Sequence, residues 1–217
     1  MVPTVRTTFL NLPREKRERV IDAALGEFAD KGYEQASVNA MVAASGIAKG
    51  SLYQYFTDKQ GIFLYIFDFA VAMVRRTLLR VKEDTREADF FTRLERSLWA
   101  GVEFIRRHPR IYSIYLKILF DQHAPRRQEL LKAVRRFAAD YLNSLVRQGL
   151  ARGEIRADLS PPAIIFLLDA VLDRFLQAVT VPAFDVTLGL DRADDPELAA
   201  RVRELMEVLR KGLGPAA

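Results

Sequence analysis

The chain has 217 residues, half of them hydrophobic, with 33 Lys and Arg against 28 Asp and Glu, a net charge of +5 and no cysteine. This length buries a sizeable core, and the missing thiols exclude disulfides, zinc-thiolate sites and a cysteine nucleophile. The positive balance is a weak pointer to a polyanion, because residues 1–60 hold 8 basic and 7 acidic side chains and so carry only +1 of it.

Apolar residues recur every three to four positions, Ala, Leu, Arg and Glu abound, and no alternating strand run occurs, so an all-α chain is expected. The first helix is predicted from Pro13 to Lys31, with Val20, Ile21, Ala24, Leu25 and Phe28 inward, Asn11 as cap and Gly32 as stop. A second covers Ser37 to Ala44 with Ser37 as N-cap, and Gly46 permits a tight turn into a third over residues 48–56. "TDK" at 57–59 caps a long helix that reaches the Lys82 region.

Further helices are expected through Phe91, Leu94, Leu98, Val102 and Ile105 to the "HP" at 108–109, over Ile111 to Phe120, and from Arg126 to Ala151. Ser160 caps an apolar helix reaching Val181, residues 182–195 read as irregular, and Asp195 with Pro196 opens a last amphipathic helix that closes near Gly212. The longest apolar stretch, Ile164 to Val179, is broken by Asp169, Asp173 and Arg174, so no membrane span is expected. The N-terminal segment lacks the pattern of a signal peptide, and a cytoplasmic location follows as the expectation.

The helix at 37–44, the turn at 45–47 and the helix at 48–56 compose a helix-turn-helix, whose second helix enters the DNA major groove. Nine residues give a helix of roughly 13 Å, matched to a groove about 12 Å wide. In "GIAKGSLYQYFTDK" the positions Leu52, Tyr55 and Phe56 share one face, while Lys49, Gly50, Ser51, Tyr53 and Gln54 fall largely on the other. Lys49 can donate to guanine edges or phosphate, Gly50 lets the backbone approach, and Ser51 can bond a base edge or a phosphate. Tyr53 offers a hydroxyl for phosphate and a ring for a thymine methyl, and Gln54 and Lys59 are assigned to the DNA backbone. Ser37 doubles as cap and phosphate contact. Arg6, Lys16 and Arg17 are weaker candidates, since a basic first turn is often only a solvated face.

The segment from "LPREKRERV" to "KGSLYQYFTDKQGIF" resembles the DNA-binding domain of TetR-family transcriptional regulators, through the "AA…F…KGY" of the first helix, Ser37, Gly46, "KGSLYQYF" and Lys59. The resemblance implies a helix-turn-helix domain over residues 1–58 and a helical effector-binding and dimerisation domain over residues 59–217. It further implies a dimeric repressor that binds a palindromic operator and is released when a small molecule fills the helical body. Ala48 departs from the pattern, because such proteins often carry a hydroxyl-bearing cap there.

Phe67, Trp99, Tyr112, Tyr115, Phe166 and Asp169 are the candidate lining of an effector pocket, mainly apolar with a placed polar group. Each aromatic also fits an ordinary core position. Asp169 and Asp173, one turn apart on an apolar helix, need a partner, for which the sequence offers the pocket, Arg174 of another subunit, or solvent. The apolar faces Ile165, Leu168, Leu172, Phe175 and Leu176 and Leu198, Val202, Leu205, Met206 and Leu209 suit a four-helix dimer interface, with packing inside the chain as the alternative.

An enzyme is not expected, because His108 and His123 have no recognisable nucleophile or acid beside them, and no metal or cofactor is expected. The rival readings are a small-molecule carrier or sensor whose DNA binding has degenerated, and an activator in place of a repressor.

Overall fold

A computed structural model describes residues 5–215. Its helices, in chain order, are α1 (Thr7–Leu10), α2 (Arg14–Gln35), α3 (Val38–Ser45), α4 (Lys49–Tyr55), α5 (Lys59–Asp84), α6 (Phe90–Arg107), α7 (Pro109–Phe120), α8 (Arg127–Ala151), α9 (Pro161–Thr180) and α10 (Asp195–Leu213), with a 3-10 turn at Pro182–Phe184. The all-α expectation holds, and among the described residues no helix is long and apolar enough to cross a membrane.

Local chemistry sets most helix ends. Gly32 takes φ 72° and interrupts α2 where a stop was expected, and Gly46 closes α3 in the left-handed region with φ 67°. Ser37 and Ser160 cap α3 and α9, each accepting from the backbone N–H three residues on, and Asp58 accepts from Gly61 N at 2.7 Å to start α5. Asp194 and Glu197 form a reciprocal capping box at α10.

The start of the chain differs from expectation. Asn11 ends α1 and does not begin α2, whose N-cap is Pro13 with no side-chain hydrogen bond. The four residues of α1 were not foreseen, because one turn is too short to show a period.

The chain forms two compact units. One comprises residues up to Arg75 together with Ile105–Ala133, the other Arg76–Phe104 together with Val134 onward, so that α5, α6 and α8 each contribute to both. In the first unit the core is aromatic: Phe28 meets Phe63 edge-on at 5.0 Å, and Phe9 lies 4.9 Å from Phe56 and 5.2 Å from Tyr65. Helix α7 packs on α2, where Ser113 Oγ donates to Ala29 O at 2.9 Å and Arg110 pairs with Asp22 at 3.2 Å.

The second unit is centred on Leu94, Leu98 and Val102 of α6, Leu145 and Val146 of α8, Leu168 and Phe175 of α9, and Leu198, Val202, Met206 and Leu209 of α10. Of the α9 and α10 faces expected at a dimer interface, Leu168, Phe175, Leu198, Val202, Met206 and Leu209 are buried within the chain, while Ile165, Leu172, Leu176 and Leu205 pack against the same core and stay half-buried. What α9 leaves outside is another stripe, Ala163, Phe166, Leu167 and Ala170, with Phe166 78% exposed.

Asp169 and Asp173 also have a partner that the sequence did not offer. Arg135 of α8 reaches Asp169 with Nη1 at 3.3 Å and Asp173 with Nη2 at 2.6 Å, and Gln177 donates to Asp173 Oδ2 at 2.8 Å. Burial pushes the Asp169 carboxyl above its ordinary pKa against the pull of Arg135, and the neighbouring Asp173 adds to the rise.

Candidate nucleic-acid interface

Helix α4 is held by its inner side and free on its outer one. Leu52, Tyr55 and Phe56 are 2%, 6% and 1% exposed, whereas Lys49, Gly50 and Gln54 are exposed, Ser51 is half-buried and Tyr53 is 42% exposed. The division follows from the period of the helix, with the three apolar residues on the core side. Ala48 provides no side-chain hydrogen bond at the start of α4, as its methyl requires.

A Cβ on Gly50 would meet no atom within 4 Å. Internal packing thus gives no reason for glycine there, although glycine weakens a helix. The absent side chain leaves the α4 backbone at this point open to close approach from outside.

The start of α3, the first helix of the pair, is braced from α2. Glu27 Oε1 accepts from Ser37 N at 2.8 Å and from Lys31 Nζ at 2.8 Å, and the lysine holds the Glu27 carboxyl below its usual pKa. Ser37 Oγ accepts from Ala40 N at 3.4 Å, which leaves the hydroxyl proton for another acceptor.

Lys59 has a task inside the fold. Its Nζ donates to the carbonyls of Glu34 and Ala36 at 3.0 and 3.2 Å and stands 4.7 Å from the centre of the Tyr33 ring. It ties the start of α5 to the α2–α3 connection, and one of its three N–H groups remains for an outside oxygen. Arg17, a weaker sequence candidate, donates to Leu10 O at 2.8 Å.

Residues 5–10 form an arm laid along α4. Val5 and Phe56 make an antiparallel bridge, Arg6 N donates to Tyr55 O at 2.9 Å, Thr8 Oγ1 donates to Gln54 O at 3.0 Å, and Phe9 is 0% exposed. The arm occupies carbonyls at the C-terminal end of α4 that a short helix leaves unpaired. The signal in the sequence was slight, a Phe and two Leu in "TFLNLP" ahead of the first long helix.

Residues 20–66 match bacterial regulatory proteins of the tetR family, and residues 88–214 match the tetracyclin repressor-like C-terminal domain. The chain belongs to the TetR family. A TetR family transcriptional regulator from Chloroflexus aurantiacus J-10-FL has a TM-score of 0.72 at 30% identity, covering 98% of this chain and 100% of that one. The transcriptional repressor AcnR of Corynebacterium glutamicum is 25% identical over 183 residues, 79% of this chain and 85% of its own. FadR of Bacillus subtilis, in complex with stearoyl-CoA, has a TM-score of 0.72 at 19% identity over 90% and 98% of the two chains, a likeness of fold alone. This TetR-family chain is a DNA-binding transcriptional regulator, and its relatives are transcription regulators.

The effector candidates of this TetR-family protein fall in both compact units. Phe67 is 5% exposed in the first, where Tyr112 and Tyr115 are half-buried with ring centres 5.6 Å apart. Trp99 packs against the core of the second, Phe166 stands on its surface and Asp169 faces Arg135. Phe166 is therefore not inside its unit, and the Asp169 carboxylate is already answered.

Proposed function

We propose that the protein is a homodimeric repressor that binds a palindromic operator through α4 and is released by a mainly apolar small molecule. The observation that carries this reading is the outward face of α4, where a lysine, a tyrosine, a glutamine and an unneeded glycine are presented together by a buried apolar anchor. Lys49, Ser51 and Tyr53 read base edges or phosphate, while Gln54, Ser37 and the remaining donor of Lys59 position the DNA backbone. Residues 1–58 serve DNA and residues 59–217 serve effector and partner, with Phe67, Trp99, Tyr112 and Tyr115 supplying apolar surface for the effector. The protein works in the cytoplasm and carries no catalytic role.

The effector must prefer the conformation that does not bind operator, since equal affinity for both shifts nothing. Selection of bound fragments from genomic DNA at two salt concentrations tests the reading. A shared palindrome is the expected result, and recovery of only sequence-blind, salt-sensitive DNA would remove it.

Gly50→Ala separates fold from function by sign. It should stabilise the isolated protein by about 0.5 kcal/mol and weaken operator binding by about tenfold, because the added methyl stands where DNA approaches. Thermal unfolding and an operator titration on the same preparation read both effects.

The exposed stripe on α9 is the dimer surface in this reading. Phe166 at 78% and Leu167 at 43% exposure continue one apolar stripe with Ala163 and Ala170, and such a contiguous stripe marks a contact surface more than a lone exposed residue does, while Val208 of α10 is 67% exposed as well. Phe166→Asp should raise the dimer dissociation constant by about thirtyfold or more with little change in helix content, as measured by sedimentation. A dimer of unchanged strength would place the interface elsewhere.

A further inference from the structure

Two cations of the second unit have no acid to answer them, and both lie on one polar seam formed by α5, α6 and α8. Arg93 of α6 is 3% exposed, its Nη1 donates to Gln148 Oε1 of α8, and its buried Nε has no hydrogen-bond partner. One turn on, Ser97 Oγ donates to Arg93 O at 2.7 Å, so the Tyr141 hydroxyl, also 2.7 Å from it, must be the donor between those two. Burial pushes the Tyr141 phenol above its usual pKa, which keeps that proton in place. Lys82, near the end of α5, donates to Ser144 Oγ at 2.7 Å. Tyr141, Ser144 and Gln148 share one face of α8 by their spacing. Among the described residues no carboxylate oxygen stands within ion-pair distance of Arg93 or Lys82.

The contrast with Arg135 decides the meaning. Arg135, Asp169 and Asp173 combine both signs of charge and keep 35%, 26% and 21% of their side chains exposed, so water shares in their solvation. Arg93 has neither help, and a guanidinium does not shed its proton in a protein. A buried charge held only by a neutral amide is costly unless an anion joins it. The Nε edge of the guanidinium pairs side-on with the two oxygens of a carboxylate, and on that edge the Nε has no partner within the protein. Gln148 is exposed, so the head of Arg93 lies directly beneath a side chain that reaches solvent.

We propose that this seam receives the acidic head of the effector, a carboxylate on a largely apolar body, with Arg93 as its principal partner and Lys82 as the second charge. The inference rests on the ligand-responsive reading above and reverses the sign of charge that Asp169 and Asp173 suggested from the sequence.

The test uses the full-length protein with sodium decanoate and 1-decanol at equal sub-millimolar concentration. Decanoate should raise the melting temperature and bind at least about tenfold more tightly than the neutral alcohol, as expected of a charge-assisted pair. Arg93→Met should lose that preference and, in the absence of ligand, melt about 2–4 °C higher, because it removes a buried charge that nothing compensates. Lys82→Gln should weaken decanoate severalfold. Equal binding of acid and alcohol, undiminished binding by Arg93→Met, or a lower melting point for that variant would each overturn the proposal, the last by showing Arg93 to be a structural strut. Decanoate that binds through Arg93 yet leaves operator affinity unchanged would uphold the seam and remove the ligand-responsive repressor. Release of operator by neutral compounds, untouched by Arg93→Met, would do the reverse.

Discussion

Phe9→Ala is expected to lower the stability of the folded protein by about 3–4 kcal/mol and to weaken operator binding even where the variant is fully folded. Phe9 is 0% exposed and its ring contacts Tyr55, Phe56 and Tyr65 at centroid distances of 5.6, 4.9 and 5.2 Å. Removing it leaves a cavity lined by rings that cannot collapse onto so short a helix. The arm then loses its anchor, and with it the hydrogen bonds from Arg6 N and Thr8 Oγ1 to the end of α4. Denaturant unfolding measures the first effect, and operator titration well below the transition measures the second. Operator affinity equal to that of the parent under folded conditions would show that the arm stabilises the unit without setting the angle of α4.

The second large effect falls on DNA binding alone. Tyr53→Ala and Lys49→Ala remove exposed side chains, so their folding stabilities should stay within about 0.5 kcal/mol of the parent. Tyr53→Ala should cost about 1–2 kcal/mol of operator binding, roughly ten- to thirtyfold, if its hydroxyl and ring both engage the groove. Lys49→Ala should weaken operator and random DNA together and reduce the slope of log affinity against log salt by about one, if its partner is a phosphate. Loss confined to the operator with an unchanged slope would assign Lys49 to a base edge instead. Two variants that bind like the parent would remove the assignment of α4 as the reading helix.

The sequence by itself determined the local part of this protein. The helix-turn-helix was legible because every cue lies within a few residues of its effect: Ser37 caps α3, Gly46 takes the left-handed turn, and Leu52, Tyr55 and Phe56 repeat on the period of a helix. The helical body was legible for the same reason, as runs of period three to four between prolines and caps.

Only the tertiary structure decided which side of each helix meets which neighbour. Helix α9 is apolar around a wide arc, so its period alone cannot say whether Leu168 and Phe175 or Phe166 and Leu167 go inside, and packing against α6, α8 and α10 chose the former. The partner of Asp169 and Asp173 lies 34 and 38 residues away on α8, beyond any local pattern. Separations of 46, 25 and 55 residues likewise hid the arm along α4, the carbonyl partners of Lys59 and the burial of Arg93 opposite Gln148. Capping and periodicity act between neighbours in the chain, whereas the pairing of buried charges depends on which helices come to lie side by side, and that is settled only when the whole core packs.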